Sequence, residues 1–331
     1  MMIDLSYQHE SVRLTGRWGK DEKSATSTAT GSYIEFAFGG RMAVAKFDII
    51  SNAYPLLHLW VQVDGGALIE AKVDSFIRVI APSEGNHVCR IIYKGGTELD
   101  RRWYHPLTAK VTFLGVQVEE IGTLPADNRR TVEFVGDSIT EGVLIDVDFN
   151  SSREATASYI DATARCYQDD VCATWSWLTA EALDLRPIVM GYGAVGVTHA
   201  GCGEVPKAAE AYPYNFENSP ITHECADIIV INHGANDAHW AVETYLAEYE
   251  NLLDVIRARN PESAVVALSA FCGAHHEALG GMIEAYNQKN GTDVHFIDSF
   301  GWIPKDPLHP LREGHRVVAQ HLIPLIREIM G

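Results

Sequence analysis

A change in hydrophobic pattern near residue 125 narrows the possible folds of this chain more than any other feature. Before it, short β-type runs are separated by turn residues; after it, apolar runs of strand length alternate with segments of helical periodicity. Evenly spaced short strands are typical of a sandwich or barrel, whereas strands that alternate with helices predict a parallel sheet. Because 331 residues also exceed the usual size of one core, we expect an all-β domain at 1–125 and an α/β domain at 126–331.

The N-terminal part is predicted to contain strands joined by tight turns. Asp64-Gly65-Gly66 separates two apolar runs and indicates a hairpin, because glycine accepts the positive φ that such turns need. The pairs Gly39-Gly40 and Gly95-Gly96 are interpreted as turns in the same way. We therefore expect an antiparallel sandwich of the jelly-roll type. Its predicted strands are Gly31–Phe38, Arg41–Ile50, Leu56–Val63, Ala67–Val73, His87–Lys94 and Lys110–Val118.

The C-terminal part alternates strands with helices. Apolar residues recur every three or four positions from Val242 to Ile256 and predict a helix with one apolar face. A second helix is predicted from Glu313 to Met330, interrupted or kinked at Pro324 because proline lacks a backbone N–H. The pattern indicates a parallel sheet covered by helices on both faces. The predicted strands are Thr131–Val135, Pro187–Met190, Asp227–Ile231, Ala264–Leu268 and Val294–Ile297.

The net charge of −18 disfavours several kinds of partner. Nucleic acid requires a basic protein surface and anionic membranes attract one, so we expect this chain to bind neither. No apolar run approaches the length of a membrane span, about 18 residues, and the first ten residues lack the basic and apolar regions of a secretory signal. We therefore expect a cytoplasmic protein, whose acidic surface suits a neutral substrate that releases an acid.

Four polar or glycine-rich segments each follow a predicted strand of the C-terminal part. They are Gly136-Asp137-Ser138, Gly191-Tyr192-Gly193, Gly234-Ala235-Asn236-Asp237 and Asp306-Pro307-Leu308-His309. Taken singly, each has an ordinary interpretation as a helix cap, a glycine loop, an Asx turn or a chance spacing. Functional groups gather at the carboxyl ends of parallel strands, so their joint occurrence there indicates a single site. No zinc-type Cys or His spacing and no H-E-x-x-H motif accompanies them, and we expect no metal or other cofactor.

Together these segments resemble the successive sequence blocks of SGNH (GDSL) hydrolases, across nearly all of 131–331. An all-β domain ahead of such a domain is similar to the architecture of carbohydrate esterase family two. The resemblance implies a three-layer α/β/α domain with a flavodoxin-like strand order, preceded by a jelly-roll sandwich. The α/β-hydrolase fold is not expected, because the G-x-S-x-G elbow is absent and the aspartate and histidine lie only three residues apart.

The resemblance also implies a role for individual residues. Ser138 would be the nucleophile and would bind the oxyanion through its backbone N–H. His309 would be the base, and Asp306 would orient it. Asn236 and Gly193 would supply the remaining oxyanion donors, because a side-chain amide and a glycine N–H both donate without titrating.

Some assignments remain open at this stage. The glycine loop reads Gly-Tyr-Gly where the family usually has Asn-x-Gly, so Gly191 is the alternative to Gly193 as oxyanion donor. Aromatic and histidine side chains near the loops are candidates for contacts with a sugar ring, although core packing is the commoner fate of tryptophan. The candidate substrate-binding residues are Trp240, Trp302, Tyr192 and His233.

The implied activity is removal of O-acetyl groups from acetylated sugars by two-step acyl transfer, with xylo- or manno-oligosaccharides as the expected substrates. A lipid or aryl esterase is the alternative within enzymes. A carbohydrate-binding protein with an inactive hydrolase site is the alternative outside them. The chain has no long apolar insert near the four segments, which favours a small acyl group over a fatty chain.

Overall fold

The structure is a computed structural model that describes residues 2–147 and 162–331, except for the side chains of 162–164. It contains a ten-stranded antiparallel sheet, a five-stranded parallel sheet and a two-stranded ribbon. Within the described ranges, no helix is both long enough and apolar enough to cross a membrane. The predicted domain boundary at 125/126 lies between the last strand of the first sheet, which ends at Ile121, and the first strand of the second, which begins at Thr131.

The N-terminal domain consists of antiparallel strands, as predicted. They are β1 (Ile3–Ser6), β2 (Val12–Thr15), β3 (Gly19–Lys20), β4 (Ala25–Ser27), β5 (Tyr33–Phe47), β6 (His58–Val63), β7 (Ile69–Lys72), β8 (Phe76–Ile80), β9 (Asn86–Gly95) and β10 (Val111–Ile121). The hairpin predicted at Asp64-Gly65-Gly66 is confirmed, since it joins β6 to β7 with His58 opposite Lys72. The long strand β5 organises the domain by pairing with β2, β8, β9 and β10.

The predicted turn at Gly39-Gly40 is wrong, because β5 continues through both residues. Gly40 has a φ of 86°, and the Glu119 carboxylate of β10 accepts the backbone N–H groups of Arg41 at 2.7 Å and Met42 at 3.0 Å. The register between β5 and β10 shifts at this point. The glycines therefore accommodate an irregularity inside a strand, which pairing with neighbouring strands holds in place.

The parallel sheet has the strand order β12-β11-β15-β16-β17, which is the predicted flavodoxin-like order. Its strands are β11 (Thr131–Gly136), β12 (Arg186–Gly191), β15 (Ile228–Asn232), β16 (Ala264–Leu268) and β17 (Val294–Ile297), while β13 (Tyr214–Phe216) and β14 (Ser219–Pro220) form the ribbon. Gly136 at the end of β11 lies opposite Gly191 of β12 and Asn232 of β15. The carboxyl ends of these three strands are therefore level, and the loops that follow them meet.

Seven helices accompany the described part of the parallel sheet. They are α1 (Ser138–Glu141), α2 (Ala162–Gln168), α3 (Trp175–Ala182), α4 (Ala208–Ala211), α5 (Val242–Arg259), α6 (His276–Asn290) and α7 (Arg312–Met330). The predicted helices correspond to α5 and α7. Of the two predicted effects of Pro324, an interruption does not occur, because α7 runs through this residue. Leu322 and Ile326 on either side are buried in the core, and this packing holds the helix across the proline.

The helices cover both faces of the parallel sheet and form the three predicted layers. Successive residues of a strand point to opposite faces, so Ile229 packs in one core with Tyr249 of α5, and Val230 packs in the other with Val318 of α7. The first core also holds residues of α6, and the second holds residues of α3. Both faces of the sheet are buried beneath helices, which explains why its strands are almost uninterrupted apolar runs.

Buried charges join the β domain to the α/β domain. Arg17 donates to the Glu133 carboxylate of β11 at 2.7 Å, and Tyr212 donates to the same carboxylate at 2.8 Å. Lys94 at the end of β9 donates to the backbone carbonyls of Cys166 at 3.0 Å and Asp169 at 2.9 Å, at the end of α2. Buried charges are tolerated only when paired, so these contacts specify one orientation of the two domains.

Candidate active site

Ser138 begins α1 on a tight turn after β11. The Asp137 carboxylate caps this turn by accepting the backbone N–H of Ile139 at 2.9 Å. A Cβ on Gly136 would lie 2.2 Å from Oγ1 of Thr140, so only glycine permits so close an approach of strand and helix. Burial raises the pKa of Asp137 to about 7. The turn presents the Ser138 hydroxyl at the carboxyl edge of the sheet.

Ser138 and His309 form a hydrogen-bonded pair, although 171 positions separate them in the chain. Ser138 Oγ lies 2.9 Å from His309 Nε2, and the two residues are 6% and 8% exposed. Burial lowers the pKa of His309, so the imidazole is neutral near pH 7 and can accept the serine proton. This is the distance expected between a serine nucleophile and its general base.

Asp306 lies at the rim of the site. Its side chain is exposed in a segment of turns, whereas His309 is buried. Within the described ranges, no hydrogen bond joins the Asp306 carboxylate to the imidazole. Among the described residues, the Glu98 carboxylate raises the pKa of His309 and the Arg165 guanidinium lowers it, in addition to the lowering effect of burial. The orienting role of Asp306 therefore stays a prediction.

Two backbone N–H groups in the loops that follow β11 and β12 are candidates to bind an oxyanion. Within 2–147 and 162–331, neither the Ser138 N–H nor the Gly193 N–H donates to a protein acceptor. Gly191, the alternative donor, is the last residue of β12, and a Cβ there would lie 2.5 Å from the backbone nitrogen of Glu141. Gly191 thus allows β12 to pack against α1, and the free N–H of Gly193 favours Gly193 as the donor.

Asn236 links the nucleophile turn to the glycine loop. Its side-chain nitrogen donates to the Asp137 carboxylate and to the Val195 carbonyl, each at 3.2 Å. Both distances lie at the long end of the normal range. An oxyanion that forms at Ser138 could therefore take over one of these N–H groups. Beside it, the buried Asp237 carboxylate accepts the backbone N–H of Thr198 at 3.0 Å and holds the far side of the glycine loop.

Replacing Asn236 by alanine is expected to lower kcat by about 10²–10³-fold with little change in KM, the usual effect of losing one oxyanion donor. Steady-state kinetics on an aryl acetate measure both constants. Asn260→Ala is a control, because Asn260 is an asparagine that caps α5 away from Ser138, where its side chain donates to Tyr212 Oη at 2.8 Å. A rise in KM with unchanged kcat would show that Asn236 binds the ground-state substrate instead.

The predicted substrate-binding residues fall into two groups. Trp240 is 46% exposed and stacks on His199 with ring centroids 6.0 Å apart, so a substrate can reach it. Trp302 is half-buried against the core on the α7 face. Tyr192 and His233 are each 1% exposed. Packing between the domains and under the loops encloses these last two, and their contact with substrate stays a prediction.

Two ion pairs near the site involve residues that the sequence patterns did not single out. Glu98, in the segment between β9 and β10, lies 3.0 Å from the Arg165 guanidinium of α2. Arg102 of the same segment pairs with Glu141 of α1. All four side chains are buried. They belong to no motif, and charged residues between strands normally indicate a solvated loop, so only the packing of the two domains identifies them.

The described residues, 2–147 and 162–331, contain no group of three or more His, Cys, Asp or Glu side chains arranged to hold a metal ion. The arrangement that they do contain is a serine hydroxyl on a neutral imidazole, with N–H donors beside it. This combination of nucleophile, base and oxyanion donors is the chemistry of acyl transfer.

Comparisons with known proteins agree with this geometry. In sequence, the chain is 23% identical over 265 residues to an acetylxylan esterase / glucomannan deacetylase of Cellvibrio japonicus (strain Ueda107), covering 75% of this chain and 69% of that protein. In structure, it is similar to a family two carbohydrate esterase from Cellvibrio japonicus, with a TM-score of 0.80, 20% identity and coverage of 100% and 98% of the two chains. It is also similar to the acetyl xylan esterase Est2A from Butyrivibrio proteoclasticus, with a TM-score of 0.77, 16% identity and coverage of 99% and 98%.

The two structural likenesses extend over both domains, so the β domain and the α/β domain occur together in other proteins. The family model that matches the chain describes the GDSL-like Lipase/Acylhydrolase family and covers residues 134–317, which is more than half of the chain. The matched range includes Ser138, Asn236 and His309. The chain therefore belongs to the GDSL-like Lipase/Acylhydrolase family.

Proposed function

We propose that this protein is a serine esterase that removes O-acetyl groups from acetylated oligosaccharides, in particular xylo- or manno-oligosaccharides. The observation that carries the proposal is the 2.9 Å contact between Ser138 Oγ and the buried His309 Nε2, in a chain of the GDSL family. The substrate class is supported by the relatives, which are described as an acetylxylan esterase / glucomannan deacetylase and an acetyl xylan esterase.

The proposed reaction has two acyl-transfer steps. His309 Nε2 takes the hydroxyl proton as Ser138 Oγ attacks the acetyl carbonyl, and the N–H groups of Ser138 and Gly193 with the Asn236 amide bind the oxyanion. The protonated imidazole then gives its proton to the departing sugar oxygen, which leaves an acetyl-serine. Water attacks this ester by the same proton route and releases acetate and the free serine.

The surface charge suits this reaction. The substrate is a neutral ester, whereas the product acetate is an anion. A net charge of −18 does not attract acetate, so the protein disfavours rebinding of its own product. The same charge disfavours polyanionic substrates and supports the choice of neutral sugars.

Acetate release from acetylated xylan, acetylated mannan and simple aryl acetates tests the proposal directly. We expect the wild-type protein to release acetate from the sugar esters and the Ser138→Ala protein to release none above background. A wild-type protein that binds the oligosaccharides in calorimetry but hydrolyses no ester would be a binding protein with an inactive site. Activity on aryl acetates alone would favour the aryl-esterase alternative.

The acyl-chain dependence separates the deacetylase from a lipid esterase. The charged Glu98 side chain packs against Gly193 and pairs with Arg165, and a long apolar acyl chain is disfavoured beside such a pair. Each methylene that cannot be accommodated costs about 10- to 200-fold in discrimination. We therefore expect kcat/KM to fall steeply from acetyl to butyryl to octanoyl esters of p-nitrophenol. Equal or better turnover of the octanoyl ester would contradict deacetylation and favour the lipid esterase.

A further inference from the structure

The β domain places a buried carboxylate at the edge of the proposed catalytic site. Glu98 follows β9, and its side chain is buried between the two domains. The Arg165 guanidinium of α2 lies 3.0 Å from the carboxylate. Arg165 in turn lies 3.5 Å from Asp169, so the cation between the two carboxylates is itself anchored. The position of Glu98 is therefore fixed by an ion pair that crosses from one domain to the other.

The Glu98 side chain packs directly on the glycine loop. A Cβ built on Gly193 would lie 2.7 Å from Cβ of Glu98 and 2.8 Å from Oε2, so the carboxylate and its stem lie against the Gly193 Cα. The backbone N–H of Cys202 donates to the Gly193 carbonyl at 2.8 Å. Both contacts restrain Gly193, the residue whose N–H is the proposed oxyanion donor.

Glu98 also acts on His309 through its charge. Among the residues that the structure describes, the groups that act on the imidazole include Glu98 from the β domain, Arg165 from α2, Ser138 from α1 and His315 from α7. Burial lowers the pKa of His315 to about 3, so His315 is neutral near pH 7. The charge of Glu98 raises the pKa of His309, against burial and Arg165, which lower it.

We propose that Glu98 is a positioning residue of the esterase site: it holds the Gly193 peptide and stabilises the imidazolium of His309 that forms as Ser138 attacks. The negative charge has more effect on the imidazolium than on the neutral imidazole, so it favours the transition state over the ground state. The inference rests on the proposed function. It makes the β domain a part of the catalytic unit.

Glu98→Gln tests the role of the negative charge, because glutamine has nearly the same size and shape as glutamate but is neutral. We expect kcat to fall by up to about 10²-fold, the scale of a misplaced reacting group, with little change in KM. Because Glu98 raises the pKa of His309, its loss lowers that pKa, and the acid limb of kcat/KM moves to lower pH. An NMR titration of the His309 ring without substrate should show the same shift. Glu98→Asp keeps the charge but withdraws it from Gly193, so kcat should fall while the acid limb stays.

Glu133→Gln is the matched control. Glu133 is also a buried carboxylate in an ion pair between the domains, with Arg17 at 2.7 Å. It differs in position, because it precedes Ser138 by five residues, which corresponds to about 16 Å along an extended strand. We expect it to lower the unfolding temperature and to leave both the acid limb and the His309 titration in place. The same shift in Glu133→Gln would show a general effect of weakened domain contact and would overturn the proposal.

Two further outcomes are decisive. Glu98→Gln with an unchanged His309 titration and kcat within roughly twofold of wild type would overturn the positioning role. If the Glu98→Gln protein does not fold, the Glu98→Asp protein provides the test. A kcat of Glu98→Asp equal to that of the wild type would then overturn the positioning role. Failure of the wild-type protein to hydrolyse any acetyl ester would contradict the proposed function, whereas the His309 titration would still measure the effect of Glu98.

Discussion

Replacing Ser138 by alanine is expected to lower kcat for acetyl-ester hydrolysis by about 10⁴-fold or more, because the attacking oxygen is lost and the remaining groups cannot form the acyl-enzyme. Alanine keeps the β-carbon on the turn, so the variant should fold. Hydrolysis of p-nitrophenyl acetate by the purified variant, together with its circular dichroism and thermal unfolding, measures both expectations. Ser176→Ala is a control, since Ser176 is also buried but contacts Thr174 on α3 and lies outside the site.

A Ser138→Ala protein that retains more than about a tenth of wild-type turnover would contradict the nucleophile assignment. Labelling offers an independent measurement. A sulfonyl fluoride should modify the peptide that contains Ser138 in the wild-type protein, as located by mass spectrometry. Modification of a different serine with loss of activity would place the nucleophile elsewhere.

Replacing His309 by alanine is expected to lower kcat about as much as replacing Ser138, because the two side chains act as one unit. For the same reason the double variant should be no slower than either single variant. His321→Ala is a control on α7, where His321 stacks on Trp302 with ring centroids 5.0 Å apart. Additive losses in the double variant would show that the serine and the histidine act independently.

The pH profile gives the same assignment a second measurement. The active form of His309 is the neutral imidazole, and burial lowers its pKa below the usual value of about 6.5. Activity should therefore persist below pH 6.5 and be lost only as the pH falls through the lowered pKa. The residual activity of His309→Ala should lack this limb. An acid limb above the usual histidine pKa would contradict a buried neutral base.

The parallel sheet could be predicted because both of its faces are buried. A strand that is dry on both sides needs apolar residues at nearly every position, and such runs are visible without any knowledge of the neighbouring strands. Predicted and observed bounds agree for Ala264–Leu268 and Val294–Ile297, and they differ by one residue at one or both ends for the other three strands. Each functional segment follows one of these strands, so the meeting of Ser138 with His309 followed from the fold class.

The β domain was predicted less completely. Strands as short as β3 and β4 carry too few residues to show alternation, and pairing with neighbours that are distant in the chain forms them. The same reason explains why Gly39-Gly40 does not break β5 and why Pro324 does not break α7. In each case tertiary contacts outweigh a local preference against strand or helix.

Periodicity and motifs were sufficient to identify the family, the serine and histidine that meet, and the loops around them, because these features depend on local pattern and on strand ends that share one edge. Other properties required the packed structure. The burial of Tyr192 and His233, the exposure of Asp306 and the contact of Glu98 with Gly193 depend on which surfaces face each other across two domains. No local pattern encodes such contacts, since the burial of a side chain is set by segments distant in the sequence.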